Sequence, residues 1–293
     1  MTIFTERHNP DTWDIDLKNG FEIALMMNNE DKKVAEAVQK ELKTIGRAID
    51  LIANSFLEGG RLSYFGAGTS GRLGVLDASE CPPTFSADES LVTGCIAGGD
   101  KALRHAVENA EDNIDFALSD LAKFKPNKND VVVGISASGN PKYVVAVLEA
   151  ARKKGAHTVG ISSNPEAKLK EFSDIFICPV VGPEVITGSS RLKSGTAQKM
   201  ILNMLSTGAM IKIGKTYHNY MIDLKISNQK LTDRACRFIS EICGVDDAEA
   251  LKLLNKAGGS VKKACVMKIE NCSRTKAEEK LLAANGILRK VIG

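Results

Sequence analysis

The sequence predicts a doubly wound α/β fold, a parallel sheet covered on both faces, followed by a small helical domain. Three observations predict it. Short β-branched runs alternate with helical stretches between about residues 60 and 180, the pattern of parallel strands joined by crossover helices. Two of these runs end in loops of glycine and hydroxyl residues that open helices, Gly66-Ala67-Gly68-Thr69-Ser70-Gly71 and Ser136-Ala137-Ser138-Gly139-Asn140. Beyond about Leu231 no strand-like run is left, only short helical patterns divided by Gly244, Gly258-Gly259 and Gly286.

Residues 1 to about 30 read as polar and irregular, apart from the apolar run Phe21 to Met27. Asn29-Glu30-Asp31 then precedes a helical pattern in which Val34, Val38, Leu42, Ile45, Ile49, Ile52 and Phe56 recur at three- and four-residue steps. Acidic residues open this expected helix and Gly59-Gly60 close it, as the macrodipole and the C-cap favour. Strands are expected at 62–65, 91–96, 131–135, 158–162 and 175–180. Helices are expected at 71–79, 103–123, 143–154, 165–171 and 195–212, the last one apolar enough for a buried or interface position. Three parts follow: an N-terminal segment and helix over 1–55, the sheet domain over 56–238, and a three-helix domain over 239–293.

Composition limits the function classes. With 39 basic and 36 acidic residues the net charge is +3, too even for a nucleic-acid footprint. Seven cysteines, an odd number with no C-x-x-C spacing, point to a reducing compartment without a disulfide framework. The N-terminus has no positive region followed by an apolar one, and no run approaches the 18 or so apolar residues of a membrane span. The expectation is a cytoplasmic protein that acts on neither membrane nor nucleic acid. His8, His105, His157 and His218 show no paired spacing, so no metal site is expected.

The first loop follows a strand and opens a helix, so its glycines allow close approach while the first helical amides face outward. Thr69 and Ser70 add hydroxyl donors suited to phosphate oxygens. The loop also satisfies the G-x-G-x-x-G dinucleotide fingerprint. However, the acidic residue after the second strand, Asp100, falls about 30 residues on instead of the usual 20 or so. The second loop decides between the readings. Two hydroxyl-rich loops at the carboxyl ends of parallel strands converge at a topological switch point and suit one small phosphate ester. The alternative is a pair of ordinary Ser/Thr helix caps.

Strand–GAGTSGR and strand–SASGN resemble the paired phosphosugar loops of the sugar isomerase (SIS) domain, a flavodoxin-like fold. The longer blocks FGAGTSGRLGVLDASECPPTF (65–85), AVENAEDN (106–113) and the run from Glu184 to Leu231 resemble the N-acetylmuramic acid 6-phosphate etherase family. The resemblance extends from about residue 20 to the C-terminus, where the helical segment is similar to a ubiquitin-associated (UBA-like) module. It implies release of D-lactate from the 3-ether of the sugar by elimination and then water addition, with one base, one acid and no cofactor. The family's two catalytic glutamates fall on Glu80 and Glu111. Glu80 is expected at the C-terminal end of the first loop's helix, where Pro82-Pro83 stop it and the negative dipole end raises its pKa; this suits the acid. Glu111 is expected inside a helix as the C2 base, and spacing alone does not prefer it over Glu108.

Phosphate and sugar contacts are expected from Gly68, Thr69, Ser70, Ser136, Ser138, Gly139 and Asn140. By resemblance, Glu184, Ser189, Arg191 and Lys193 border the sugar. Glu184 would bind a hydroxyl or assist ring opening, while Arg191 or Lys193 would neutralise the phosphate or the lactyl carboxylate, a surface salt bridge being the alternative. A homodimer with its site near the interface is expected. The rivals are a phosphosugar sensor without catalysis and an aldose–ketose isomerase, which would have no use for an acid that protonates lactate.

Overall fold

A capping box, and not the acidic triplet at 29–31, starts the first long helix. In the computed structural model, which describes residues 4–224, 226 and 228–293, the Asn19 side chain accepts the Glu22 N–H at 3.0 Å. The Glu22 carboxylate in turn accepts the Asn19 N–H at 2.9 Å. Helix α1 therefore spans Gly20–Gln39 and takes in both the apolar run at 21–27 and the acidic triplet. The single helix expected after residue 31 is two, because α2 is a separate helix over Leu42–Leu57. The break falls at Lys40 and Glu41, between Val34 and Val38, buried by α1, and Ile45, Ala48 and Ile52, buried by α2.

The chain divides into two compact units. The first holds the residues up to Ser79 and Ser90–Ser206; the second holds Glu80–Glu89 and Thr207–Gly293. The sheet of the first unit comprises β1 (Leu62–Gly66), β2 (Val92–Ile96), β3 (Val131–Ile135), β4 (His157–Ile161) and β5 (Ile175–Ile177). All pairings are parallel and the order is β2-β1-β3-β4-β5. The order reverses between β1 and β3, whose last residues, Gly66 and Ile135, are register partners. The two hydroxyl loops thus leave neighbouring strands at the switch point.

The connecting helices are α3 (Gly68–Phe85), the short α4 (Lys101–Arg104), α5 (Ile114–Phe124), α6 (Lys142–Lys153) and α7 (Lys193–Lys212). On one face Leu121, Tyr143, Val147 and Leu148 pack against Phe65 and Val132, each such side chain contributing about 1.5–3 kcal/mol by leaving water. Within this unit Asp77 of α3 accepts hydrogen bonds from Tyr64 Oη, Asn203 Nδ2 and Ser206 Oγ, tying α3 to β1 and to α7.

In the second unit α8 (Gln229–Cys243), α9 (Asp247–Lys256), α10 (Val261–Ile269), α11 (Arg274–Ala283) and the short α12 (Arg289–Ile292) enclose Phe238, Ile239, Leu254, Cys265 and Leu281. The first four helices each open on a side-chain N-cap: Asn228, Asp246, Ser260 and Ser273. No helix among the described residues is long and apolar enough to cross a membrane.

Candidate active site

Close packing shapes the first loop. A Cβ added to Gly71 would lie 2.6 Å from the Gly66 carbonyl oxygen, so only glycine lets α3 begin this near the end of β1. Gly68 itself has φ +54. The amides of the first turn, Gly68 to Ser70, have no carbonyl one turn back within the helix and carry the positive end of its dipole.

The second loop is held in place by its own hydroxyls and by the segment after β4. Ser136 Oγ accepts the Gly139 N–H at 3.0 Å, and Ser138 Oγ accepts the Asn140 N–H at 3.4 Å. Ser162 Oγ donates to Ala137 O, Asn164 Nδ2 to Ser138 O, and the Leu169 N–H to Gly139 O. Gly139 has φ +70, and a Cβ there would stand 2.3 Å from the Ala167 Cβ. Asn140 Oδ1 accepts the Lys168 N–H. Gly139 and Asn140 thus shape the loop, while Ser136 and Ser138 line what it encloses.

That enclosure is a cleft of about 260 Å³. Gly68, Thr69, Ser70, Ser136 and Ser138 line it together with Glu111, and Thr5, Glu6 and Ser190 close it. It combines neutral hydroxyl and amide donors with two carboxylates, a composition that can hold a phosphate ester at one end and move a proton at the other.

Glu111 reaches this cleft from a short 3₁₀ turn and not from the expected α-helix. The expected helix over 103–123 is three pieces: α4, a 3₁₀ turn at Ala110–Asp112, and α5. Asn109 adopts the left-handed conformation at φ 60, and the Asn113 side chain caps α5 by accepting the Phe116 N–H. Glu108 and Glu111 are therefore not neighbours on one helical face. A second cavity, of about 200 Å³, is lined by both glutamates with Arg72 and His105; only Glu111 also lines the hydroxyl cleft.

Glu80 departs from expectation in another way. Helix α3 does not stop before the prolines but runs through Pro82 and Pro83 to Phe85. Cys81 and Phe85, one turn apart, are both buried, and this packing outweighs the loss of two amide donors. Glu80 is exposed and lies five residues before the helix end, clear of the last turn where the dipole is felt.

The block before α7 is structural at two of its four expected positions. Buried Glu184 accepts the backbone N–H groups of Lys193 and Ser194 at 2.8 and 2.9 Å, capping α7. Lys193, 1% exposed, donates to Glu30 at 2.5 Å. Burial opposes the Glu30 charge, but hydrogen bonds from Lys193, Lys33 and Asn9 prevail and bring its carboxyl down to about 2. Neither side chain faces the cleft. Arg191 is exposed and Ser189 half-buried, and neither lines a described cavity, whereas Ser190 between them does.

The N-terminal segment also enters the site. Asn9 Nδ2 donates to Glu30 and to Pro183 O, and Thr12 Oγ1 donates to Val185 O at 2.8 Å. These bonds strap residues 5–12 along the Glu184 loop and bring Thr5 and Glu6 to the cleft. Sequence reasoning missed both residues. The one available hint was Asn9-Pro10-Asp11, an N-cap followed by proline, which forms the 3₁₀ turn Pro10–Thr12.

Comparison with known proteins follows this geometry. The chain matches the N-terminal SIS domain of glucokinase regulatory protein over residues 44–152, the SIS domain over 116–208, and the C-terminal lid domain of glucokinase regulatory protein over 218–263. It is 50% identical to a Clostridium botulinum (strain Langeland) protein over 290 residues, covering 99% of this chain and 96% of the relative. It is 49% identical to one from Salmonella agona over 291 residues, covering 99% and 98%. With a Rhodopirellula baltica protein it shares 48% over 288 residues, covering 98% and 95%. All three are named N-acetylmuramic acid 6-phosphate etherase. A phosphoheptose isomerase from Francisella tularensis shares the fold, with a TM-score of 0.50 at 15% identity, covering 66% of this chain and 98% of the other.

Proposed function

The chain belongs to the N-acetylmuramic acid 6-phosphate etherase family, and from that premise we propose how its residues divide the reaction. It is a carbon–oxygen lyase that cleaves the D-lactyl ether of N-acetylmuramic acid 6-phosphate in amino-sugar recycling.

The observation that carries the assignment is the cleft in which Glu111 shares a wall with both hydroxyl loops. The 6-phosphate takes hydrogen bonds from Thr69, Ser70, Ser136 and Ser138 and from the first amides of α3 at Gly68. Gly139 and Asn140 keep the second loop in shape. Glu184 and Lys193 act at one remove, fixing the start of α7 and the loop that carries Ser190.

With the sugar ring open, the C1 aldehyde acidifies the C2 proton. Glu111 removes that proton, the electron pair forms the C2–C3 double bond, and the C3–O bond breaks. The departing lactate oxygen takes a proton from Glu80. Ionised Glu80 then takes a proton from water as its hydroxyl adds to C3, and Glu111 returns its proton to C2, giving N-acetylglucosamine 6-phosphate and restoring both glutamates.

Helix α3 constrains the source of the acid. Glu80 lies twelve residues beyond Gly68 on α3. It lines neither the hydroxyl cleft nor the second cavity. We therefore assign each site its hydroxyl loops and Glu111 from one chain and its Glu80 from a second copy, in a cytoplasmic homodimer. Binding is assigned to the sheet domain, read as 56–238, within which the SIS matches reach to residue 208.

The test is D-lactate release from N-acetylmuramic acid 6-phosphate by wild type, Glu80→Ala and Glu111→Ala. Both variants should lose nearly all turnover. Full activity in either would remove that residue from the mechanism. A wild type that binds the sugar phosphate without releasing lactate would favour the sensor, and one that isomerises it would favour the isomerase.

A further inference from the structure

The cavity on the far side of the Glu111 turn has no part in the assignments above. It is separated from the cleft only by Ala67, Gly68 and Glu111, which line both. Besides Glu111, its charged and polar walls are Arg72, His105, Glu108 and Asn109, and alanines and Val107 supply its apolar surface. Arg72 stands one turn into α3 from Gly68. Its Nε donates to Leu103 O at 3.0 Å, and among the described residues its terminal amino groups have no protein partner.

We infer that this cavity is the subsite for the lactyl group, with the Arg72 guanidinium gripping its carboxylate. The inference rests on the reading of the hydroxyl cleft as the phosphosugar site. The substrate carries two anions, and the cleft's phosphate donors are neutral, which leaves the carboxylate in need of a cation. Lys193 is committed to Glu30, and exposed Arg191 lines neither cavity. Arg72 is the arginine on a wall shared with the base, and a planar guanidinium with free amino groups matches a carboxylate in two parallel hydrogen bonds.

Position agrees with chemistry. A base at C2 has the C3 ether oxygen as its next neighbour, so the leaving group belongs beside Glu111 and away from the phosphate. The lactyl methyl meets alanine and valine there.

Two ligands that differ only in the lactyl group test this. For Arg72→Ala, KM for N-acetylmuramic acid 6-phosphate should rise at least about tenfold, the scale of one charge-assisted hydrogen bond. Its calorimetric affinity for N-acetylglucosamine 6-phosphate should stay within about twofold of wild type. Arg72→Lys keeps the charge without the fork and should fall between; it also serves if loss of the Leu103 tie unfolds the alanine variant. An equal loss for both ligands would make Arg72 a structural tie and overturn the subsite, as would an unchanged KM. The cleft is judged separately: Ser136→Ala with Ser138→Ala should weaken N-acetylglucosamine 6-phosphate. Unchanged binding there would refute the phosphosugar reading while leaving the Arg72 comparison to be judged on its own result.

Discussion

Two inactive chains should make one active enzyme. The perturbation is a mixture of Glu80→Ala and Glu111→Ala chains, dissociated and allowed to reassociate. The expectation comes from the place of Glu80, twelve residues past Gly68 on α3 and absent from the lining of the cleft. Glu111 lines that cleft directly. If the acid comes from the second copy, a mixed dimer has one site with both glutamates and one with neither. Random pairing makes about half the dimers mixed, and each restores one of its two sites, so an equal mixture should recover about one quarter of wild-type lactate release. Mixed dimers isolated through two different affinity tags should reach about one half. The readout is D-lactate by coupled assay, with dimer content measured by light scattering. Isolated mixed dimers no more active than either parent would refute the shared site, and a single species of monomer mass at assay concentration would refute the dimer itself.

Lys193→Met should leave Glu30 buried with only Lys33 and Asn9 as partners and cost about 3 kcal/mol by urea unfolding at neutral pH, the low end for a broken buried pair. The same pair makes stability depend on acid. The folded carboxyl titrates at about 2, below its ordinary 4.5, so its contribution is complete above about pH 4.5 and fades as pH falls toward 2. Wild type should lose on the order of 3 kcal/mol across that window from this group, and Lys193→Met distinctly less; parallel pH profiles would count against the assignment. For glycine, Gly139→Ala meets both a positive φ and Ala167 at 2.3 Å, whereas Gly68→Ala meets only φ +54 with nothing within 4 Å. The first should raise KM and lower the melting temperature; the second should cost about 1 kcal/mol and little more. Equal melting temperatures would show that the Ala167 contact does not constrain the loop.

What could be read in advance follows the range of the interaction behind it. The buried runs that became β1 and β3 were legible because a strand buried on both faces has little room for polar residues, and the hydroxyl loops were legible because their glycines and hydroxyls adjoin those strands. The capping box at Asn19 and Glu22 was equally local and could have been read. The break that frees Glu111 left a fainter trace. Asn109 in the left-handed region and Asn113 as an N-cap are each permitted by asparagine, but neither is required by it. The run of α3 through two prolines is contrary to local rules, and it depends on the burial of Cys81 and Phe85.

Lys193 shows the limit most clearly. Beside Arg191 in a polar loop it resembles a ligand for an anion, and its chemistry is that of one. The anion it holds is Glu30, 163 positions away, and Asn9 and Lys33 complete the cluster. Arg72 is the reverse case: its helix position was readable, but its free amino groups become visible only once Leu103 is seen to take Nε alone. The sequence supplies each charge; whether that charge is spent inside the fold or left facing a cavity is decided by partners far along the chain. The sites of an enzyme like this one are therefore found by asking which charged groups the fold has left unpaired.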